Sequence, residues 1–104
     1  MSLKTREMVF VALADPSRRL LLDRLRQRNG QTLSELCEGQ AISRQAVTKH
    51  LTILEQANLV TSEKRGRERL HFLNPVPIHA VAMRWLRQFD ELPLDILAKS
   101  EGPG

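Results

Sequence analysis

The stretch ISRQAVTKHLTILEQANLV, residues 42–60, decides the fold. Ser43 stands where a helix N-cap belongs, because its hydroxyl can accept from one of the first free N–H groups, and a helix from Arg44 to about Ala57 follows. Val47, Leu51 and Leu54 recur at i, i+4 and i+7, which makes one face of that helix apolar. Asn58 closes it. With the inward residues subtracted, the N-terminal outer face presents Ser43, Arg44, Gln45, Thr48 and Lys49. These residue types suit groove reading: Arg can grip guanine bidentately, Gln can do so with adenine, and Ser, Thr and Lys can hold phosphates or base edges. His50, beside Lys49 and next to Leu51, is expected to pack, with a phosphate contact as the sharper alternative.

Upstream, TLSELCEG (32–39) reads as a short helix. Thr32 caps it, Glu35 stands at the capping-box spacing, Gly39 breaks it, and the turn QAI leads to Ser43. Before it, Asp15 and Pro16 open a helix to about Arg28, since a carboxylate can cap and proline loses nothing at the first helical position. Leu21, Leu22 and Leu25 form its apolar stripe, and Asn29-Gly30 ends it. Residues 5–14, TREMVFVALA, are helical in composition and apolar on more than one side after Met8.

Downstream, LVTSEKRGRERLHFLNP (59–75) carries β-branched and apolar stretches on either side of Arg65-Gly66-Arg67, which predicts two strands and a tight turn. Lys64, Arg65, Arg67 and Arg69 make its tip basic, with Glu63 and Glu68 placed to spend part of that charge in local pairs. His71 alternates with Leu70 and Phe72 and is expected to face outward. IHAVAMRWLRQF (78–89) then sets Ile78, Val81, Ala82, Trp85, Leu86 and Phe89 along one helical face that needs a partner.

A chain of 104 residues suits one compact domain. Residues 1–92 are read as that domain and 93–104, ending KSEGPG, as a tail that frays. Sixteen Lys and Arg against twelve Asp and Glu give a net charge of +4, which suits a polyanion without establishing one. No segment nears the eighteen or so apolar residues of a membrane span, and the first ten residues lack the apolar run of a signal peptide. A cytoplasmic protein with no membrane partner is expected. No cluster of nucleophile, base and orienting acid can be argued, and no phosphate-binding glycine loop appears, so an enzyme is not expected.

Helix, helix, short helix, turn, longer helix and hairpin follow the order of a winged helix-turn-helix: mainly α, with a small β-hairpin. That order places the polar helix face and the basic hairpin tip where DNA contacts belong. Double-stranded DNA is the expected partner, with Ser43, Arg44, Gln45, Thr48, Lys49 and His50 on the helix and Lys64, Arg65, Arg67 and Arg69 on the wing.

ALADPSRRLLLDRL (12–25), ISRQAVTKHLTILEQANLV and KRGRERLHFLNP (64–75) together resemble the ArsR-type family of dimeric winged-helix transcriptional repressors, over roughly residues 5–90. The resemblance implies a homodimer, paired through its first and last helices, that occupies an operator in its own or a neighbouring promoter. Met8, Val9, Phe10 and Val11, with Val81, Trp85, Leu86 and Phe89, independently offer more apolar surface than a small monomer leaves wet.

Metal-sensing members of that family carry Cys-X-Cys within ELCVCDL, where this chain has ELCEGQA (35–41). Cys37 matches the first thiolate, but Gly39 stands in place of the second and has no ligand. Other members use His and Asp pairs on the last helix, which here offers His79 near its start and Asp90 and Glu91 beyond its end. His50 or His71 could join Cys37, yet no spacing supplies three or four ligands. No metal and no cofactor are expected. Leu33, Leu36 and Cys37 at i, i+3 and i+4 place Cys37 at the core edge as a small hydrophobe. Two alternatives remain: a winged-helix protein-interaction module, and a thiol- or metal-responsive repressor using Cys37. No inducer, small molecule or protein, is indicated.

Overall fold

A computed structural model of the chain describes residues 3–89. The elements are α1 (Leu3–Leu13), α2 (Pro16–Gln27), α3 (Leu33–Cys37), α4 (Arg44–Gln56), β1 (Val60–Arg65), β2 (Glu68–Leu73) and α5 (Val76–Arg87). Each expected element forms, and the C-terminal tail lies outside the described residues.

The helix ends explain the boundaries. Asp15 Oδ1 accepts from the main-chain N–H of Ser17 at 2.8 Å and of Arg18 at 3.2 Å, with Pro16 in the first turn of α2. Thr32 and Glu35 close a reciprocal capping box on α3, Glu35 N–H donating to Thr32 Oγ1 and Thr32 N–H to Glu35 Oε1. Ser43 Oγ accepts from Ala46 N–H at 3.1 Å to start α4. At the other end of α4, Asn58 takes the left-handed conformation, φ 63°. Its N–H reaches Glu55 O at 2.9 Å and that of Leu59 reaches Leu54 O at 2.9 Å, the paired bonds of a Schellman ending. Leu54 and Leu59 are both buried, so the stop signal of α4 is also a core contact that aims the chain into β1.

One core gathers every helix. Val9 and Ala12 of α1, Leu21, Leu22 and Leu25 of α2, Leu36 of α3, Val47, Leu51 and Leu54 of α4, and Val81 of α5 meet with Ala57, Leu59 and Val60. Cys37 packs half-buried against it, as its spacing implies. Two residues expected on a dimer surface are inside instead: Val9 is 0% and Val81 4% exposed. Val9 faces inward because α1 itself needs a buried stripe, and it shares that stripe with Ala12 three residues on.

The strands pair antiparallel from Val60 opposite Leu73 to Arg65 opposite Glu68, with Gly66 at φ 63° in the turn. A bridge between Gln31 and His71 adds one rung from the loop before α3. That rung corrects the expected outward His71, which is 6% exposed. In this register His71 shares a face with Leu73 and lies opposite Ser62, on the side that packs toward α4. Leu70 and Phe72 take the other side, where the Phe72 ring covers Gly30.

Candidate nucleic-acid interface

The exposed side of α4 begins at its cap. Ser43, Arg44, Gln45, Thr48 and Lys49 are all exposed, as expected from subtraction of the inward residues. Ser43 is committed to the cap and Thr48 Oγ1 donates to Arg44 O at 3.0 Å, so the Thr48 hydroxyl keeps only its lone pairs for a ligand. Arg44 Nη1 donates to Ser34 Oγ at 3.2 Å, which leans the guanidinium toward α3.

The two flanks of α4 differ. Arg44, Thr48, Thr52 and Glu55, spaced by four, four and three, form one wall of an open cleft of about 890 Å³. Residues 32–35 of α3 and its cap line the cleft's end, and Arg67, Glu68, Arg69 and His71 of the wing line the facing wall. The opposite flank carries His50, half-buried, whose Nδ1 lies 3.2 Å from Arg18 Nη1. His50 therefore stands apart from the exposed face that bears Gln45 and Lys49, and packs against α2.

Charge on the wing and in the cleft is mixed. Arg65 pairs with Glu63 at 3.2 Å and lies 5.6 Å from the centre of the Phe72 ring, so the expected local pairing occurs there. Lys64 stands directly across the ladder from Arg69, whose Nη1 donates to Ser62 Oγ at 3.0 Å. Like charges set opposite one another in a hairpin are unfavourable, and an anion between them relieves that cost. Among the described residues, no ion pair involves Lys64, Arg67 or Arg69. Glu55 faces His71 Nε2 at 3.9 Å. Glu35 is engaged by Arg28; the Thr32 main-chain N–H, then its hydroxyl and the Arg28 charge, hold its carboxyl below the usual range against partial desolvation.

Arg18, Arg24 and His71 were not legible as organisers of this site. Arg24 Nη1 donates to Leu36 O at 3.2 Å and Glu35 O at 3.4 Å, fixing the end of α3 against α2. The Arg18–His50, Arg24–Leu36 and His71–Gln31 contacts span 32, 12 and 40 residues, for which no local spacing gives a signal. Among the described residues, no group of three or more His, Cys, Asp or Glu is placed to hold a metal ion, and no helix is long and apolar enough to cross a membrane.

A helix-turn-helix domain model matches residues 13–63, the span from the end of α1 into the wing. A Bacillus subtilis HTH-type transcriptional regulator, YuzN, is 40% identical, over 78% of this chain and 95% of its own. The transcriptional repressor SdpR of the same organism is 31% identical over 78% and 88%. A solved structure of an ArsR-like transcriptional regulator from Rhodococcus sp. RHA1 superposes with a TM-score of 0.77 at 31% identity, covering 94% of this chain and 92% of that one. The chain belongs to the ArsR family of winged helix-turn-helix transcriptional regulators. ArsR-family proteins of this kind are DNA-binding transcriptional regulators and not enzymes.

Proposed function

We propose that this ArsR-family chain is a homodimeric repressor that reads a near-palindromic operator. Each protomer inserts α4 into the major groove, with Arg44, Gln45, Thr48 and Lys49 toward base edges and neighbouring phosphates. Lys64, Arg67 and Arg69 of the wing grip the flanking backbone, with Arg65 beside them. One observation carries this reading: Arg44 and Thr48 of α4 face Arg67 and Arg69 of the wing across a single cleft, while Gln45, Lys49 and Lys64 are exposed outside its lining. The wing cations then supply salt-dependent affinity and α4 supplies sequence preference.

The dimer rests on what the core leaves uncovered. Phe10 and Val11 of α1 and Trp85, Leu86 and Phe89 at the end of α5 are 42–59% exposed, with Met8 half-buried beside them. Trp85 and Phe89 stack edge to face at 5.0 Å, and a groove between α1 and α5 is lined by Arg6, Phe10, Arg84 and Trp85. A two-fold pairing of this surface sets two reading helices roughly 34 Å apart, one turn of DNA.

The test is fluorescence anisotropy with the protein's own upstream DNA and with random DNA, each with added zinc or chelator. Tight binding to the former, insensitive to both additions, supports a metal-independent repressor. Equal affinity for both DNAs overturns the operator reading in favour of a protein-interaction module, and release by zinc overturns metal independence.

A further inference from the structure

Arg18 of α2 makes three contacts that join elements of different function. Its Nε donates to Ala12 O at 2.8 Å and its Nη2 to Val11 O at 3.0 Å, both at the C-terminal end of α1. Its Nη1 meets His50 Nδ1 at 3.2 Å on α4. The last carbonyls of a helix have no partner within it, so a guanidinium is a natural cap there, and Arg19 serves Leu13 O in the same way at 2.7 Å. The third contact is different in kind, because it reaches the reading helix.

We propose that Arg18 is the positioning residue that fixes the reading helix relative to the dimer surface, and so sets the half-site spacing the repressor accepts. This rests on the dimeric operator reading above. Val11, whose carbonyl Arg18 holds, and Phe10 before it are exposed on that surface. His50 lies in the middle of α4, between Lys49 of the reading face and buried Leu51. A single rigid fork therefore spans from the end of the dimer helix to the centre of the reading helix. Without it, α4 keeps its hydrophobic contacts but loses the one hydrogen bond, among the described residues, that joins its side chains to the α1 end.

The chemistry of the pair is defined. A guanidinium has donors only, so His50 Nδ1 must offer its lone pair and the ring hydrogen sits on Nε2. Asp15 stands close enough for its carboxylate to feel Arg18, which balances the charge that Arg18 brings to a half-buried place. Lysine at position 18 keeps the charge but lacks the planar fork that serves three acceptors at once.

The experiment uses an operator selected from random DNA by the wild-type protein, and the same operator with one base pair added or removed between its half-sites. One base pair shifts the half-sites by about 3.4 Å and rotates them by about 36°. The quantity read is the ratio of affinities at native and altered spacing, from which any uniform loss of affinity cancels. Wild type should discriminate by about tenfold or more, and Arg18→Gln and Arg18→Lys by about threefold or less. His50→Phe should lose discrimination equally, whereas His50→Asn, whose amide oxygen stands near the Nδ1 position, should retain it. Nitrogen-15 NMR should show His50 Nδ1 unprotonated in wild type and released in Arg18→Gln. Full discrimination by folded Arg18→Gln, or equal loss in His50→Asn and His50→Phe, overturns the proposal and leaves the operator reading intact. If wild type itself ignores spacing, both fall. Should the Arg18 variants fail to fold, the two His50 variants decide alone.

Discussion

His71 Nδ1 stands 3.0 Å from the main-chain oxygen of Gln31, and the two residues also exchange main-chain hydrogen bonds of 2.8 and 3.1 Å. A carbonyl only accepts, so Nδ1 carries the hydrogen and Nε2 turns toward Glu55. The base of the wing is thus tied to the loop before α3. Replacing His71 by Leu should lower stability by roughly 0.5–1.5 kcal/mol, because the Gln31 carbonyl loses one of its two donors and keeps the main-chain N–H. Urea unfolding measures this, and an unchanged midpoint would refute the role given to the rung.

Acid sensitivity follows from two capping carboxylates. Partial desolvation pushes the Asp15 carboxyl up, but the main-chain N–H groups of Arg18 and Ser17 and the charge of the Arg18 guanidinium outweigh it, so the net shift is downward. Glu35 is also lowered, chiefly by the Thr32 N–H. A carboxyl lowered on folding stabilises the protein above its ordinary value and loses that contribution as pH falls through the folded value. The loss should therefore set in below the ordinary values of 4.5 and 3.8. Asp15→Asn keeps a competent cap without the titration, so its stability should fall less steeply between about pH 4 and pH 2. Thermal melts across that window test this; parallel curves for the two proteins would refute it.

The helix boundaries were legible because caps are local. Asp15-Pro16, Thr32 with Glu35, Ser43 and Asn58 each act within four residues, and the structure uses all four. The faces of long helices were legible for the same reason. Misplaced residues share a different cause. Period-two alternation fixes which residues of β2 share a side but not which side is covered, and the Gln31 rung, 40 residues away, decides that for His71. Val9 sits in a segment apolar on more than one side and Val81 on an apolar face wide enough to meet both core and partner, so periodicity cannot tell core from interface at either. Arg18 lay within a helix-start motif whose capping function already accounted for its neighbours.

Two glycines should respond differently to alanine. Gly66 and Gly30 both have positive φ, 63° and 78°, so each substitution meets the backbone penalty of about 1–2 kcal/mol. A Cβ on Gly66 touches nothing within 4 Å, whereas one on Gly30 lies 3.0 Å from Phe72 Cε1. Gly30→Ala should therefore lower the melting temperature more than Gly66→Ala. The reverse order would contradict the packing of Phe72 over the α2–α3 loop.

The reading helix and the wing should separate in binding experiments. Arg44→Ala or Gln45→Ala should relax sequence preference by roughly 1–3 kcal/mol, because base-edge contacts discriminate by that much. Arg67→Ala should weaken specific and random DNA alike and reduce the slope of log affinity against log salt by about one. Equal losses on both DNAs for all three variants would remove the assignment of reading to α4 and gripping to the wing.

Trp85 and Val81 separate the interface from the core on one helix. Val81 is 4% exposed and contributes to the packing that joins α5 to the other helices, so Val81→Glu should unfold the domain. Trp85, one turn further on, is 50% exposed and stacks on Phe89, itself 47% exposed. A charge there costs the isolated protomer little, but it is buried without a partner once two protomers meet. Truncating a central aromatic typically costs an interface about 2 kcal/mol or more, and a buried carboxylate adds to that. Trp85→Glu should therefore keep its helical circular dichroism and sediment as a monomer at concentrations where wild type is a dimer, with operator affinity falling to that for a single half-site. A folded, fully dimeric Trp85→Glu would move the contact surface away from the end of α5 and leave the exposed Phe10, Leu86 and Phe89 without the role given to them.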